Sequence, residues 1–219
     1  MITLYAFKWV PDFAQGLVRD LRVRWALEEA GIPYGTKLLG QDDKDAPAYR
    51  SIQPWGQVPV IEEDGLVLFE SAAIVQYLAD RSEALSPRDP VGRAKVAQWL
   101  FAAMNSVEPH VANLANLDLF HAKEEWAKAR RPGQEAFTRM KLSSLARRLD
   151  GREWLENRFT AADLLMVTVL RILRHTDIVT SDPVLWPYLA RGEARPAFQR
   201  ALAAQLAPFR ENAPEMVPA

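Results

Sequence analysis

The chain has 219 residues, 49% of them hydrophobic and 25% charged, a length and balance suited to one large or two small globular domains. Lys plus Arg number 27 against 28 Asp plus Glu, and the formal net charge of -1 excludes a whole-chain field that would recruit nucleic acid or an anionic membrane. There is no cysteine, which excludes disulfides, thiolate metal sites, cysteine nucleophiles and dithiol redox chemistry, and is compatible with a reducing cytoplasm. The opening stretch MITLYAFKWVPDFAQ lacks the basic-then-apolar build of a signal peptide, and no apolar run approaches the ~18 residues of a membrane span. The reading is an intracellular, cytoplasmic protein with no membrane or nucleic-acid partner.

The first eighty residues alternate between patterns. ITLYAF (2–7) is a strand-like run, and LRVRWALEEAG (21–31) has helical spacing at Leu21, Trp25 and Leu27 with Gly31 placed as a C-cap. PYGTKLL (33–39) returns to a strand. The polar stretch QDDKDAPAYRSIQP leaves room for a short helix at most. VPVIEE and LVLFE flank the turn Glu63-Asp64-Gly65, a hairpin signal, and SAAIVQYLADR sets Ile74, Val75 and Leu78 on one helical face. A helical crossover between the first two strands implies that they are parallel, while the hairpin adds an antiparallel edge.

Beyond Arg81, SEALSPRDPVG carries two prolines and a glycine and reads as a linker over 82–90. The remainder, 91–219, reads as an all-α domain: a helix from Val91 to about Leu119, another from Gln134 to Leu149, and short helices around 183–189 and 196–206. FTAADLLMVTVLRIL (159–173) begins with Thr160 as N-cap and Asp163 three residues on, with Phe159 and Leu164 spaced as a hydrophobic staple. Being apolar all round, this helix is expected at the centre of that domain.

The stretch GQVPVIEEDGLVLFES (56–71) holds the chemistry. A proline beside a pairing strand removes a ladder donor, and a cis Val58-Pro59 bond would turn the backbone of Val58 outward to pair with an extended peptide-like ligand. Ser71 stands where a helix begins, so first-turn N–H groups and the positive dipole end suit a carboxylate there. Glu70, one residue earlier, suits the ammonium beside it, and together they fit an α-amino-acid head group. An isolated Glu-Ser pair is ordinarily only a cap.

Q-P-W-G-Q-V-P-V-I (53–61), E-S-A-A-I-V-Q-Y-L (70–78), R-V-R-W-A-L-E-E-A-G-I-P-Y (22–34) and F-T-A-A-D (159–163) resemble the cytosolic glutathione transferases over essentially the whole chain. The resemblance implies an α/β thioredoxin-like first domain over 1–81, βαβ followed by ββα on a mixed four-stranded sheet, and then an all-α domain. It implies glutathione as co-substrate, with the cysteinyl unit on the backbone at Val58 and Pro59, the γ-glutamyl group on Glu70 and Ser71, and Gln57 beside the glutathione backbone. It further implies detoxification of a small-molecule electrophile, a homodimer, and an electrophile pocket lined by Phe13, Trp99, Met104, Asn105 and Glu108. The same spacing allows Trp99, Phe101 and Met104 to be core.

The family activates the glutathione thiol with a tyrosine, serine or cysteine between the first strand and first helix. Between Ala6 and Pro33 this chain has no Ser, Thr, Cys or Tyr, and its loop is about eight residues longer than the family's. Three candidates stand: Tyr5 through its hydroxyl, Arg19 (with Arg22 or Lys8) through charge and the helix dipole, and Trp9 through its indole N–H. Each also has a structural reading: Tyr5 as core, the arginines paired with Glu28 and Glu29, and Trp9 as an anchor of the loop. Trp9, Phe13 and Leu17 together suggest an aromatic lid. The missing hydroxyl equally suits a non-catalytic glutathione-binding or protein-interaction member. His110, His121 and His175 show no metal-ligand spacing, and Lys128 to Arg131 reads as a solvated helix end.

Overall fold

The computed structural model describes residues 1–214. Contacts divide the chain into two compact units, residues 1–82 together with the segment from Pro196 onward, and residues 83–195.

The first unit is built on β1 (Ile2–Phe7), α1 (Asp20–Ala30), β2 (Tyr34–Leu39), α2 (Pro47–Arg50), β3 (Val60–Glu63), β4 (Leu66–Phe69) and α3 (Ser71–Ala79). The strands lie in the order β2-β1-β3-β4. β1 and β2 are parallel, with Leu4 opposite Thr36, while β3 runs antiparallel to both β1 and β4. The pairing directions are those expected from the pattern, and the sheet is the thioredoxin-like mixed sheet that the resemblance implied. Ile2, Leu4 and Ala6 are buried on one face of β1, and Tyr5 and Phe7 join Leu39, Tyr49, Val58 and Val60 in a cluster on the other. Helix α1 buries Leu21, Trp25 and Leu27 and ends at Gly31, whose φ of 65° is the left-handed cap geometry that glycine adopts freely.

The second unit holds α4 (Pro90–Phe101), α5 (Glu108–Phe120), α6 (Glu125–Leu149), α7 (Ala161–Leu170) and α8 (Leu185–Glu193). All ten residues of α7 are buried, the central position that its unbroken apolar sequence demands. Its entry is a capping box, with the Thr160 backbone N–H donating to Asp163 Oδ2 at 2.9 Å.

The structure differs from the sequence pattern in four places. The expected helix from Val91 to Leu119 is interrupted by a π-helical segment, Ala102–Val107. Pro109 follows in the first turn of α5, and its missing N–H breaks the regular ladder at this point. Helix α6 starts nine residues before the expected Gln134 and runs through Pro132, so Lys128 to Arg131 is helix interior. There Arg131 pairs with Asp118 at 2.6 Å, which ties α6 to α5, and with Glu135 one turn on in its own helix at 2.6 Å. The expected linker is partly packed: Leu85 is fully buried and its carbonyl accepts from Ala161 N–H at 2.8 Å, an otherwise orphaned donor at the start of α7. Finally, α9 (Pro196–Glu211) does not belong with the helical domain assigned to 91–219. It packs on α1, where Phe198 meets Trp25 edge-on at 4.9 Å and Arg200 pairs with Glu28 at 2.7 Å.

Candidate functional site

The Val58-Pro59 peptide bond is cis, and β3 starts immediately after it at Val60. The proline therefore precedes the strand, where its lost donor breaks no ladder bond. Val58 is anchored by burying its side chain against Tyr5 and Tyr49. The preceding loop is tied down from α2. The Tyr49 hydroxyl donates to the Gln57 carbonyl at 2.7 Å, and Arg50 donates to the Pro54 carbonyl at 2.8 Å while pairing with Asp45 at 2.5 Å. Gly56 has φ of 63°, which strains any residue with a side chain, and a Cβ there would lie 2.6 Å from the Arg50 guanidinium carbon and push that group aside. Gln57 and Glu70 are exposed, whereas Val58, Pro59 and Ser71 are buried.

Glu70 is the residue before α3 and holds φ of 70° and ψ of 112°, a backbone region that is costly for a residue with a side chain. Its carbonyl still accepts the Ile74 N–H at 3.0 Å, so the turn is clamped into the helix. Ser71 opens α3, whose first-turn N–H groups have no acceptor within the helix. The Ser71 hydroxyl oxygen accepts from Arg22 Nη1 at 3.1 Å, and Arg22 itself is buried. Arg22 thus serves Ser71, a role the sequence did not suggest, because the two stand 49 positions apart. Glu28 pairs with Arg200, and Glu29 accepts the Trp25 indole N–H at 2.9 Å.

The three thiol candidates fare differently. Tyr5 is a core residue: its ring lies 5.8 Å from that of Tyr49, and its hydroxyl accepts from Lys37 Nζ at 3.3 Å. Trp9 is half-buried at the start of the long loop, and its carbonyl accepts from Gln41 at 3.3 Å. Arg19 is exposed at the N-cap of α1 and keeps helical geometry, with φ of -64° and ψ of -15°. It therefore lies one turn before Arg22 on the same helix face. The loop is ordered from within by a short turn, Asp12–Ala14, and by Gln15 donating to the Val10 carbonyl at 3.1 Å and to Asp12 at 3.1 Å. Phe13 is exposed, and Lys8 and Leu17 are exposed and half-buried.

Of the pocket residues expected in the second unit, Trp99 is turned into a polar cluster, its indole N–H donating to Glu156 at 2.9 Å beneath Arg148. That engagement argues against its place in the pocket. Met104 and Asn105 lie in the π-helical segment, half-buried and exposed, and Glu108 is buried at its end. The histidines are dispersed: His110 meets Phe137 edge-on, His121 pairs with Glu124 and His175 with Asp118. Among the described residues no group of three or more His, Cys, Asp or Glu could hold a metal ion, and no helix is long and apolar enough to cross a membrane.

The model of the glutathione S-transferase N-terminal domain matches residues 21–81. The maleylacetoacetate isomerase of Rhizobium meliloti is 32% identical over 191 residues, which cover 82% of this chain and 89% of that relative. This chain belongs to the cytosolic glutathione transferase family. A Burkholderia graminis glutathione transferase, solved with two glutathione molecules bound per subunit, superposes with a TM-score of 0.81 at 31% identity, covering 93% of this chain and 88% of that one. A glutathione S-transferase-like protein from a Fusarium species is 37% identical over 129 residues, 56% of this chain and 57% of the relative, so the chain spans little more than half of that relative's length. The cis-proline loop and the α3 N-terminus described above fall within the residues that the N-terminal domain model matches.

Proposed function

We propose that the protein is a glutathione transferase that holds glutathione through Gln57, Val58, Pro59, Glu70 and Ser71 and directs its thiolate at an electrophilic small molecule. The observation that carries this reading is the α3 entrance. There a buried serine opens the helix, and a glutamate is kept in an unfavourable backbone geometry directly before it. Such a conformation persists where the surrounding structure over-determines it, commonly at a ligand clamp. The backbone of Val58 pairs with the cysteinyl unit, Ser71 and the helix N–H groups take the γ-glutamyl carboxylate, and Glu70 takes the ammonium.

Arg19 is the group we assign to the thiol. Tyr5 is buried in the core and its hydroxyl accepts from Lys37, whereas Arg19 extends the face that Arg22 presents toward Ser71. A guanidinium near the sulfur favours thiolate over thiol, and proximity then accelerates attack on a bound electrophile. Met104, Asn105 and Glu108 of the second unit remain the residues assigned to the electrophile. The protein acts in the cytoplasm as a homodimer, and the edge strand β4, which exposes Leu66, Val67 and Phe69, supports such an assembly.

Calorimetric titration with glutathione tests the site: binding is expected, and Glu70→Ala and Ser71→Ala are each expected to weaken it. No binding, or equal binding by both variants, overturns the assignment. A thiolate absorbance titration tests the chemistry. The bound thiol is expected to titrate below its value in free glutathione and to return toward it in Arg19→Ala. A second reading, a glutathione-binding member without transferase activity, is favoured by the absence of any hydroxyl or thiol side chain between Ala6 and Pro33. A solution-like thiol in the complex would establish it.

A further inference from the structure

Two side chains of α2 hold the loop that leads to the cis bond, and they grip different peptide units. Arg50 donates to the Pro54 carbonyl at 2.8 Å, and the loop braces itself just beyond, Gln53 Oε1 accepting the Trp55 N–H at 2.7 Å and the Gln53 carbonyl the Gly56 N–H at 3.1 Å. The Tyr49 hydroxyl reaches further and donates to the Gln57 carbonyl at 2.7 Å. That oxygen belongs to the peptide unit whose N–H is that of Val58. The unit is trans, the cis bond lying one residue later, so its C=O and N–H point in opposite directions within one plane. A hydroxyl fixed on the oxygen therefore aims the Val58 N–H away from Tyr49 and α2. Among the described residues nothing accepts from that N–H. A bond donated into the carbonyl also polarises the amide and makes its N–H a stronger donor. Tyr49 is itself immobilised: its ring is buried against Val58 and Tyr5, and burial pushes its phenol up, so the hydroxyl keeps its proton.

We propose that Tyr49 is a positioning residue of the glutathione site. Through the Gln57 carbonyl it aims and strengthens the Val58 N–H as the donor to the ligand's cysteinyl carbonyl. This rests on the glutathione reading above and assigns to one buried hydroxyl the site's preference for an amide at that point of the ligand.

The test compares glutathione with its ester analogue, in which an oxygen replaces the glycine N–H and leaves the cysteinyl carbonyl a weaker acceptor. Each is titrated calorimetrically into wild type and Tyr49→Phe, which keeps the ring in its cluster. Wild type is expected to prefer glutathione. Tyr49→Phe is expected to weaken glutathione by about three- to tenfold and the ester by no more than about twofold, narrowing that preference. Equal weakening of both ligands shows a merely structural role and overturns the proposal, as does equal binding of the two by wild type. Failure of wild type to bind glutathione at all overturns the functional reading itself, a result visible before any variant is made. Should Tyr49→Phe not fold, 3-fluorotyrosine replaces Tyr49 as a stronger donor of nearly the same shape. The proposal then requires the preference for glutathione to widen, and an unchanged or narrower preference overturns it.

Discussion

Asp163 accepts four hydrogen bonds while fully buried at the start of α7. Oδ1 receives the Leu155 N–H at 2.9 Å and the Tyr188 hydroxyl at 3.1 Å, and Oδ2 receives the Thr160 N–H at 2.9 Å and lies 3.1 Å from the Thr160 hydroxyl. Asp163→Ala removes the acceptor for two backbone donors and one phenol that water does not reach. A lost cap costs about 1 kcal/mol and each stranded buried donor about 1–3 kcal/mol, and because such losses are not additive we expect a total of about 3–5 kcal/mol. The pH dependence supplies a second signature. Burial pushes the carboxyl up from 3.8 to about 6, with the hydrogen bonds holding it back in part. A raised acid binds its proton more tightly in the folded state, so its contribution to stability is greatest below pH 4 and declines as pH rises through 6, by roughly 3 kcal/mol over that window. The difference between wild type and Asp163→Ala isolates this carboxyl from the other titrating groups. Urea unfolding at pH 4, 5, 6 and 7, followed by tryptophan fluorescence, measures it directly, Trp154 lying 5.8 Å from Tyr188. A loss below about 1 kcal/mol at pH 4 would refute the cap energetics, and a wild-type advantage that grows between pH 4 and 6 would refute the direction of the shift.

Three other outcomes follow from particular contacts. Glu70→Gly removes the backbone penalty at φ of 70° and is expected to raise the urea midpoint by an amount equivalent to about 1 kcal/mol while weakening glutathione at least tenfold; Glu70→Ala is expected to weaken binding with no gain in stability. Gly192→Ala places a Cβ 2.6 Å from Val167 Cγ2 where α8 crosses α7, and thermal unfolding should show a loss of about 1–3 kcal/mol that Val167→Ala partly restores. Gln205→Leu breaks the bonds from α9 to Asp20 at 2.6 Å and to the Val18 carbonyl at 3.0 Å, and hydrogen exchange should report faster opening of the amides at the start of α1.

Much of the fold was legible because periodicity reports burial directly. Leu21, Trp25 and Leu27 on α1 and Ile74, Val75 and Leu78 on α3 are all in the core, as their spacing required. The capping box was legible because both of its residues lie within three positions of each other. The start placed at Gln134 missed the first nine residues of α6, where Pro132 lies inside the helix and Arg131 pairs with Asp118 and with Glu135. Assigning α9 to the helical domain failed for a related reason, since its amphipathic pattern shows that one face is covered without showing by what.

Local order along the chain determined the strands, the helix ends, the proline before β3 and the Glu-Ser pair before α3, since these depend on neighbours a few residues apart. Only the tertiary structure decided that Tyr5 is core, that Trp99 is drawn to Glu156, and that Arg22 stands behind Ser71. Each of those outcomes depends on which side chain meets which across packed elements, and the separations of 44, 57 and 49 positions between Tyr5 and Tyr49, Trp99 and Glu156, and Arg22 and Ser71 lie beyond any periodicity. A hydrophobic pattern specifies that a face is buried, and the partner that buries it is chosen by the packing of the whole unit.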